Sequence, residues 1–165
     1  MLINGPTLRR VLAVLLAVGL TACSRGGPAI LGGGGGLPAD ALDDALARAV
    51  GDPTTCVLIA NRADRKILYR YGQGFNCERG LPACDRPGVL SAEQALTLAN
   101  ATPEGRFASC NSTAAGDRSV GWAAGPVVST HNRDLIYSAV MEGERTLPGR
   151  EISARLGEAF RNAGL

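Results

Sequence analysis

The sequence predicts an α+β domain: a five-stranded antiparallel sheet with one helix at each end of the domain, both on the same sheet face. Three observations lead there. Short β-branched, apolar segments recur at strand length and are joined by tight polar turns, which connect only antiparallel neighbours. Two stretches carry apolar residues at helical spacing, one at the start of the domain and one at its end. The element order is α-β-β-α-β-β-β-α, and a sheet with helices laid on it is the layered arrangement that buries such stripes.

The first helix spans Leu37 to Val50. Leu42, Leu46, Ala49 and Val50 share a face, and Asp40, Asp43 and Asp44 sit near the end where the helix dipole favours negative charge. Gly51-Asp52-Pro53 stops it. Thr54 to Asn61 is β-branched and apolar, as a buried strand requires; Arg62 to Arg65 is a hairpin turn, and Lys66 to Tyr71 alternates as the returning strand. Gly72 to Gly88, with four glycines and two prolines, reads as a loop. Ser91 to Ala101 is a short helix. Ser91 and Gln94 have the spacing of a capping box, and Leu90, Ala95 and Leu98 face the core. Three strands follow, Arg106 to Cys110, Ser119 to Ser129 and Asp134 to Glu142, the last two joined by the turn Thr130-His131-Asn132-Arg133. Leu147 to Ala163 closes the fold as a helix with the stripe Ile152, Leu156, Ala159 and Phe160, ended by Gly164.

Composition narrows the function. Seventeen basic residues stand against fifteen acidic ones, a net charge of +2 that implies neither nucleic acid nor an acidic polymer as partner. Aromatic residues are only 4%, so the core is aliphatic and rich in small side chains. Lys66 is the only lysine, which reflects genomic composition and not a binding surface. The glycine run Gly32 to Gly36 lacks the preceding strand and following Lys-Ser/Thr of a phosphate loop.

The N-terminus predicts export. Arg9 and Arg10 precede an apolar stretch from Val11 to Leu20, long enough for a signal core and short of the roughly 20 residues that span a bilayer. Leu20-Thr21-Ala22-Cys23 then resembles the lipobox of bacterial lipoproteins. That resemblance implies cleavage after residue 22 and acylation of Cys23, with several chains anchoring the protein stably to a membrane. In that family an aspartate after the cysteine marks inner-membrane retention. Ser24 stands there instead, which implies the outer membrane, facing the periplasm. Residues 23–38 form a Gly-rich flexible tether and residues 39–165 the folded domain.

Export means an oxidising compartment, so Cys56, Cys77, Cys84 and Cys110 are expected to form two disulfides. Of the three pairings, the spacing CERGLPAC favours a local Cys77–Cys84 bridge, leaving Cys56–Cys110 to join two strands. No CxxC is present and His131 is the only histidine, so neither a metal site nor a cofactor is expected.

The segments CVLIANRADRKILYRYG, CERGLPAC, STAAGDRSVGWAAGPV and DLIYSAVMEG, with the final helix, resemble the sheet of serine penicillin-recognising proteins, class D β-lactamases in particular. The resemblance spans most of Pro53 to Leu165 and implies that fold. It departs from the family where chemistry is carried. Asp85-Arg86-Pro87-Gly88 stand at the place of the Ser-x-x-Lys nucleophile motif, and Cys110-Asn111-Ser112 at the place of the KTG triplet. The same element order suits profilin-like and roadblock-like platforms.

No catalytic residue is therefore assigned. Ser109, Ser112 and Thr113 read as hydroxyls at a strand end, His131 as a turn residue, and Glu142 and Glu144 as carboxylates of a solvated turn. The expected functional surface is the Gly72 to Gly88 loop, with Arg79, Asp85 and Arg86 exposed. Trp122 is expected to pack on the final helix or to serve as an exposed contact. The chain reads as a membrane-tethered envelope lipoprotein with a non-catalytic binding or structural domain, its partner an envelope protein or peptidoglycan. The alternatives are a reduced serine hydrolase using Ser112 and a small-ligand sensor.

Overall fold

The computed structural model describes residues 36–128 and 134–165. The leader, Cys23 with residues 24–35 of the tether, and the turn containing His131 lie outside the described residues. The elements run α1 (Ala39–Val50), β1 (Cys56–Asn61), β2 (Ile67–Tyr71), α2 (Gly74–Glu78), β3 (Leu81–Pro82), β4 (Val89–Leu90), α3 (Ala92–Ala99), β5 (Arg106–Asn111), β6 (Ser119–Pro126), β7 (Leu135–Gly143) and α4 (Gly149–Asn162). The five long strands form one antiparallel sheet in the order β2-β1-β7-β6-β5, and β3 and β4 pair as a small ribbon. The expected α+β architecture is present. The expected loop is not featureless: it folds into α2 and the ribbon.

The sheet divides the core by residue parity, because successive strand side chains point to opposite faces. Val57, Ile59, Ala123, Leu135, Tyr137, Ala139 and Met141 face α1 and α4, meeting Leu42, Leu46, Ile152, Leu156 and Phe160. Leu58, Ala60, Val120, Trp122, Ala124, Ile136 and Val140 face α3, with its Ala92, Ala95, Leu96 and Ala99. Both terminal helices thus cover one face, and α3 with the ribbon covers the other. β1 and β7 lie in the middle of the sheet and are buried along nearly their whole length. That explains their continuous apolar runs.

Local signals explain the ends of the elements. Ser91 Oγ accepts from the Gln94 amide at 3.3 Å while Gln94 Oε1 accepts from the Ser91 amide at 2.9 Å, so the capping box forms. Gly164, at φ +80°, ends α4. On the α4 face of β6 the side chains at 121, 123 and 125 are Gly, Ala and Gly, which lets α4 sit close. Gly149 completes that fit: a Cβ there would collide with the carbonyl oxygens of Trp122 and Ala108.

Two disulfides form, but not in the expected pairing. Cys56 bonds Cys77 and Cys84 bonds Cys110, with Cα separations of 5.3 and 5.4 Å. The local Cys77–Cys84 bridge is pre-empted because α2 turns Cys77 inward against the start of β1, where both cysteines are fully buried. Cys84 lies past the first ribbon strand, at φ +65°, beside the edge strand β5 that carries Cys110. Each bridge therefore fastens one part of the 72–90 segment to the sheet.

Candidate functional site

Three of the four loop and aromatic residues singled out from the sequence come together. Asp85, Arg86 and Trp122 line a small, open cleft, with an enclosed volume of about 30 Å³, between the ribbon, α3 and the β5–β6 edge of the sheet. Ala108, Trp122 and Ala124 contribute from the sheet, Leu90, Ala95 and Leu98 from β4 and α3, and Asp85, Arg86, Arg106 and Phe107 stand at the rim. The interior is aliphatic and aromatic, and the rim is charged. In lining chemistry, though not in size, that combination is shared with ligand and partner clefts.

The Trp122 side chain is not an exposed contact, nor does it pack on the final helix, which meets only the backbone of this residue. It is 5% exposed and belongs to the α3 face, because it shares parity with Val120 and Ala124, while α4 occupies the face of Gly121 and Ala123. Its indole Nε1 donates to the Pro82 carbonyl at 2.8 Å. This bond and the Cys84–Cys110 bridge hold the ribbon over the sheet, so the cleft wall is pinned at two points.

At the rim, Asp85 accepts two hydrogen bonds from Arg86, at 3.0 and 3.1 Å, and one from Arg106. Arg86 first, and Arg106 with it, hold the Asp85 carboxyl below the usual carboxylate range. The two guanidiniums remain partly exposed, at 37% and 40%. Each has five N–H donors, and Asp85 occupies only two of Arg86 and one of Arg106. Arg150 stacks over the exposed Phe107 ring, with Cζ 4.9 Å from the ring centroid.

Arg79 is not part of this surface. It reaches Glu142 Oε2 at 3.0 Å, on the far side of the ribbon segment. Glu142 is itself a correction to the sequence reading. It is no solvated turn residue but 4% exposed, at the centre of a polar cluster. Arg118 Nε and Nη2 grip its two oxygens at 2.8 and 2.7 Å, and Ser112 Oγ donates to Oε1 at 2.8 Å. Arg118 above all, with Ser112 and Arg79, pushes the Glu142 carboxyl down to about 2. A carboxylate of such low proton affinity is a poor base toward the Ser112 hydroxyl bonded to it. The cluster ties together the ends of β5, β6 and β7 and the end of α2.

The sequence reading missed Arg106 and Phe107, and it misplaced Glu142 in a solvated turn. The signal available for Arg106 was its alternation with Ala108 and Cys110 along β5. Among the described residues, no group of three or more histidine, cysteine, aspartate or glutamate side chains gathers as a metal would require, and no helix is long and apolar enough to cross a membrane. No protein-family model, curated protein or solved structure matches the chain.

Proposed function

We propose that this protein is a lipid-anchored module of the bacterial cell envelope whose domain makes non-catalytic contacts through the cleft beneath the ribbon. The observation that carries the reading is the pinned cleft itself. An aliphatic interior built on Trp122 sits under a rim of Arg86 and Arg106, and a disulfide fixes the wall against β5. Rigid walls lower the ordering cost of an association. Two disulfides in one small domain suit an oxidising compartment. The leader and the lipobox-like Leu20-Thr21-Ala22-Cys23 support attachment of residue 23 to a membrane, and Ser24 supports the outer membrane. The partner in this reading is an envelope protein or peptidoglycan. The Ser112–Glu142 geometry weighs against the hydrolase alternative, because the carboxylate bonded to that hydroxyl is held ionised by arginines.

The test is in-membrane photo-cross-linking, with a benzophenone amino acid placed at position 86 and, as control, at Arg48 on α1, away from the cleft. The proposal expects one recurrent envelope component captured from position 86 and not from position 48. Equal, diffuse capture from both positions contradicts it.

A further inference from the structure

We infer that the outer edge of β5 is a strand-addition site for an extended polypeptide segment that is acidic at one end and apolar at the other. The inference rests on the contact-module reading and names the chemistry of the partner.

β5 is an edge strand. The direction of its free backbone groups follows from the ladder. The Ser112 amide donates to the Arg118 carbonyl at 2.9 Å, and the register places Asn111 opposite Ser119. Ser112–Arg118 is therefore a hydrogen-bonded pair, and such pairs alternate along an antiparallel ladder. Arg106, Ala108 and Cys110 accordingly bond to β6, while the N–H and C=O groups of Phe107, Ser109 and Asn111 point away from it. Among the described residues, these outward groups make no turn, loop or cap bond. A row of unpaired main-chain groups of this kind is a template for a further strand.

The cleft continues this edge. Ala108 lies on the cleft face and Phe107 on the opposite one, yet both line the cleft, so it reaches the margin of the sheet. A segment running antiparallel to β5 would place the residue opposite Ala108 toward the mouth of the cleft, whose apolar lining suits an apolar side chain. The residue opposite Arg106 would meet the spare donors of Arg86 and Arg106. The residue opposite Phe107 would lie on the face of Arg150. Arg86, Arg106 and Arg150 outnumber the two carboxylates at this end of the edge, Asp85 and the exposed Glu104, so the end keeps a net positive charge and acidic residues belong there. The same charges disfavour a second copy of the chain, which would bring three more arginines to the same edge.

The probe is the peptide fluorescein-βAla-Val-Thr-Val-Glu-Glu-amide, titrated into the full oxidised chain in detergent micelles. Its residues would lie opposite positions 110, 109, 108, 107 and 106. Fluorescence anisotropy should saturate with a Kd on the order of 10–100 µM, in the range of weak, transient contacts. Replacing both peptide glutamates by lysine, or making the protein variant Arg106→Glu, should weaken binding about tenfold or more. N-methylation of the threonine and the first glutamate, whose amides would bond β5, should abolish binding, while N-methylation of the second valine should leave it intact. Absence of saturation at about 1 mM, equal binding by the doubly N-methylated peptide, or a dimer in sedimentation that the peptide does not dissociate would each overturn the inference. Such a failure is separable from failure of the contact-module reading: if cross-linking from position 86 still captures one component, that reading stands and only the strand-addition site falls.

Discussion

Replacing Glu142 by glutamine keeps the shape of the side chain and removes the charge on which Arg79, Arg118 and Ser112 converge. The folded chain holds this carboxyl at about 2, against an ordinary value of 4.5. Each tenfold difference in proton affinity between folded and unfolded chains is worth about 1.4 kcal/mol, which bounds the contribution near 3 kcal/mol. The guanidiniums are 33% and 39% exposed, and solvent screening lowers the figure to about 2 kcal/mol. The sign follows from the direction of the shift. A depressed carboxyl stabilises the fold fully above its unfolded value, loses that contribution as pH falls from 4.5 toward 2, and contributes nothing below. Urea unfolding of the wild type and Glu142→Gln, with both disulfides intact, should therefore show a gap of about 2 kcal/mol at pH 6 that closes near pH 2. Comparing the two chains at each pH cancels the titration of the other carboxylates. A gap that stays constant from pH 6 to pH 2 would show that Glu142 acts through packing alone and would refute the argument.

Other perturbations read other parts of the structure. Mild reduction followed by iodoacetamide labelling should modify Cys84 and Cys110 before Cys56 and Cys77, because the former pair is partly exposed and the latter fully buried; mass mapping with the opposite order contradicts the fold. Replacing Cys84 and Cys110 together by serine removes a cross-link that closes a 26-residue separation and should cost about 3.5 kcal/mol in urea unfolding. Gly149→Ala forces α4 off the sheet and should cost about 3 kcal/mol or more, measured the same way; a change under about 0.5 kcal/mol would mean that the close approach is absent. A fluorescent penicillin should leave the chain unlabelled, and covalent labelling that disappears in Ser112→Ala would revive the hydrolase alternative.

The layer arrangement was legible because it depends on local periodicity. The stripes Leu42/Leu46 and Ile152/Leu156/Phe160 announce helices with one buried face, and the Ser91/Gln94 spacing announces a helix start. Three features were not legible, each for a physical reason. The disulfide pairing depends on where α2 and the ribbon carry Cys77 and Cys84 in space, which spacing along the chain does not encode. The burial of Glu142 depends on Arg79, 63 residues away, and on Arg118, 24 away; taken alone, Met-Glu-Gly-Glu-Arg reads as a solvated turn. The facing of Trp122 was readable in principle. Glycine at 121 and 125 and alanine at 123 mark the side on which a helix lies close, and parity then sends Trp122 to the other side.

The most direct test of the account is intact-mass and peptide mapping of the protein recovered from native membranes without reducing agent. The expected product is a chain that begins at an acylated Cys23, with bridges linking positions 56 to 77 and 84 to 110. A retained leader with an unmodified sulfur at position 23 and four free thiols beyond it would contradict both the envelope placement and the pinned cleft.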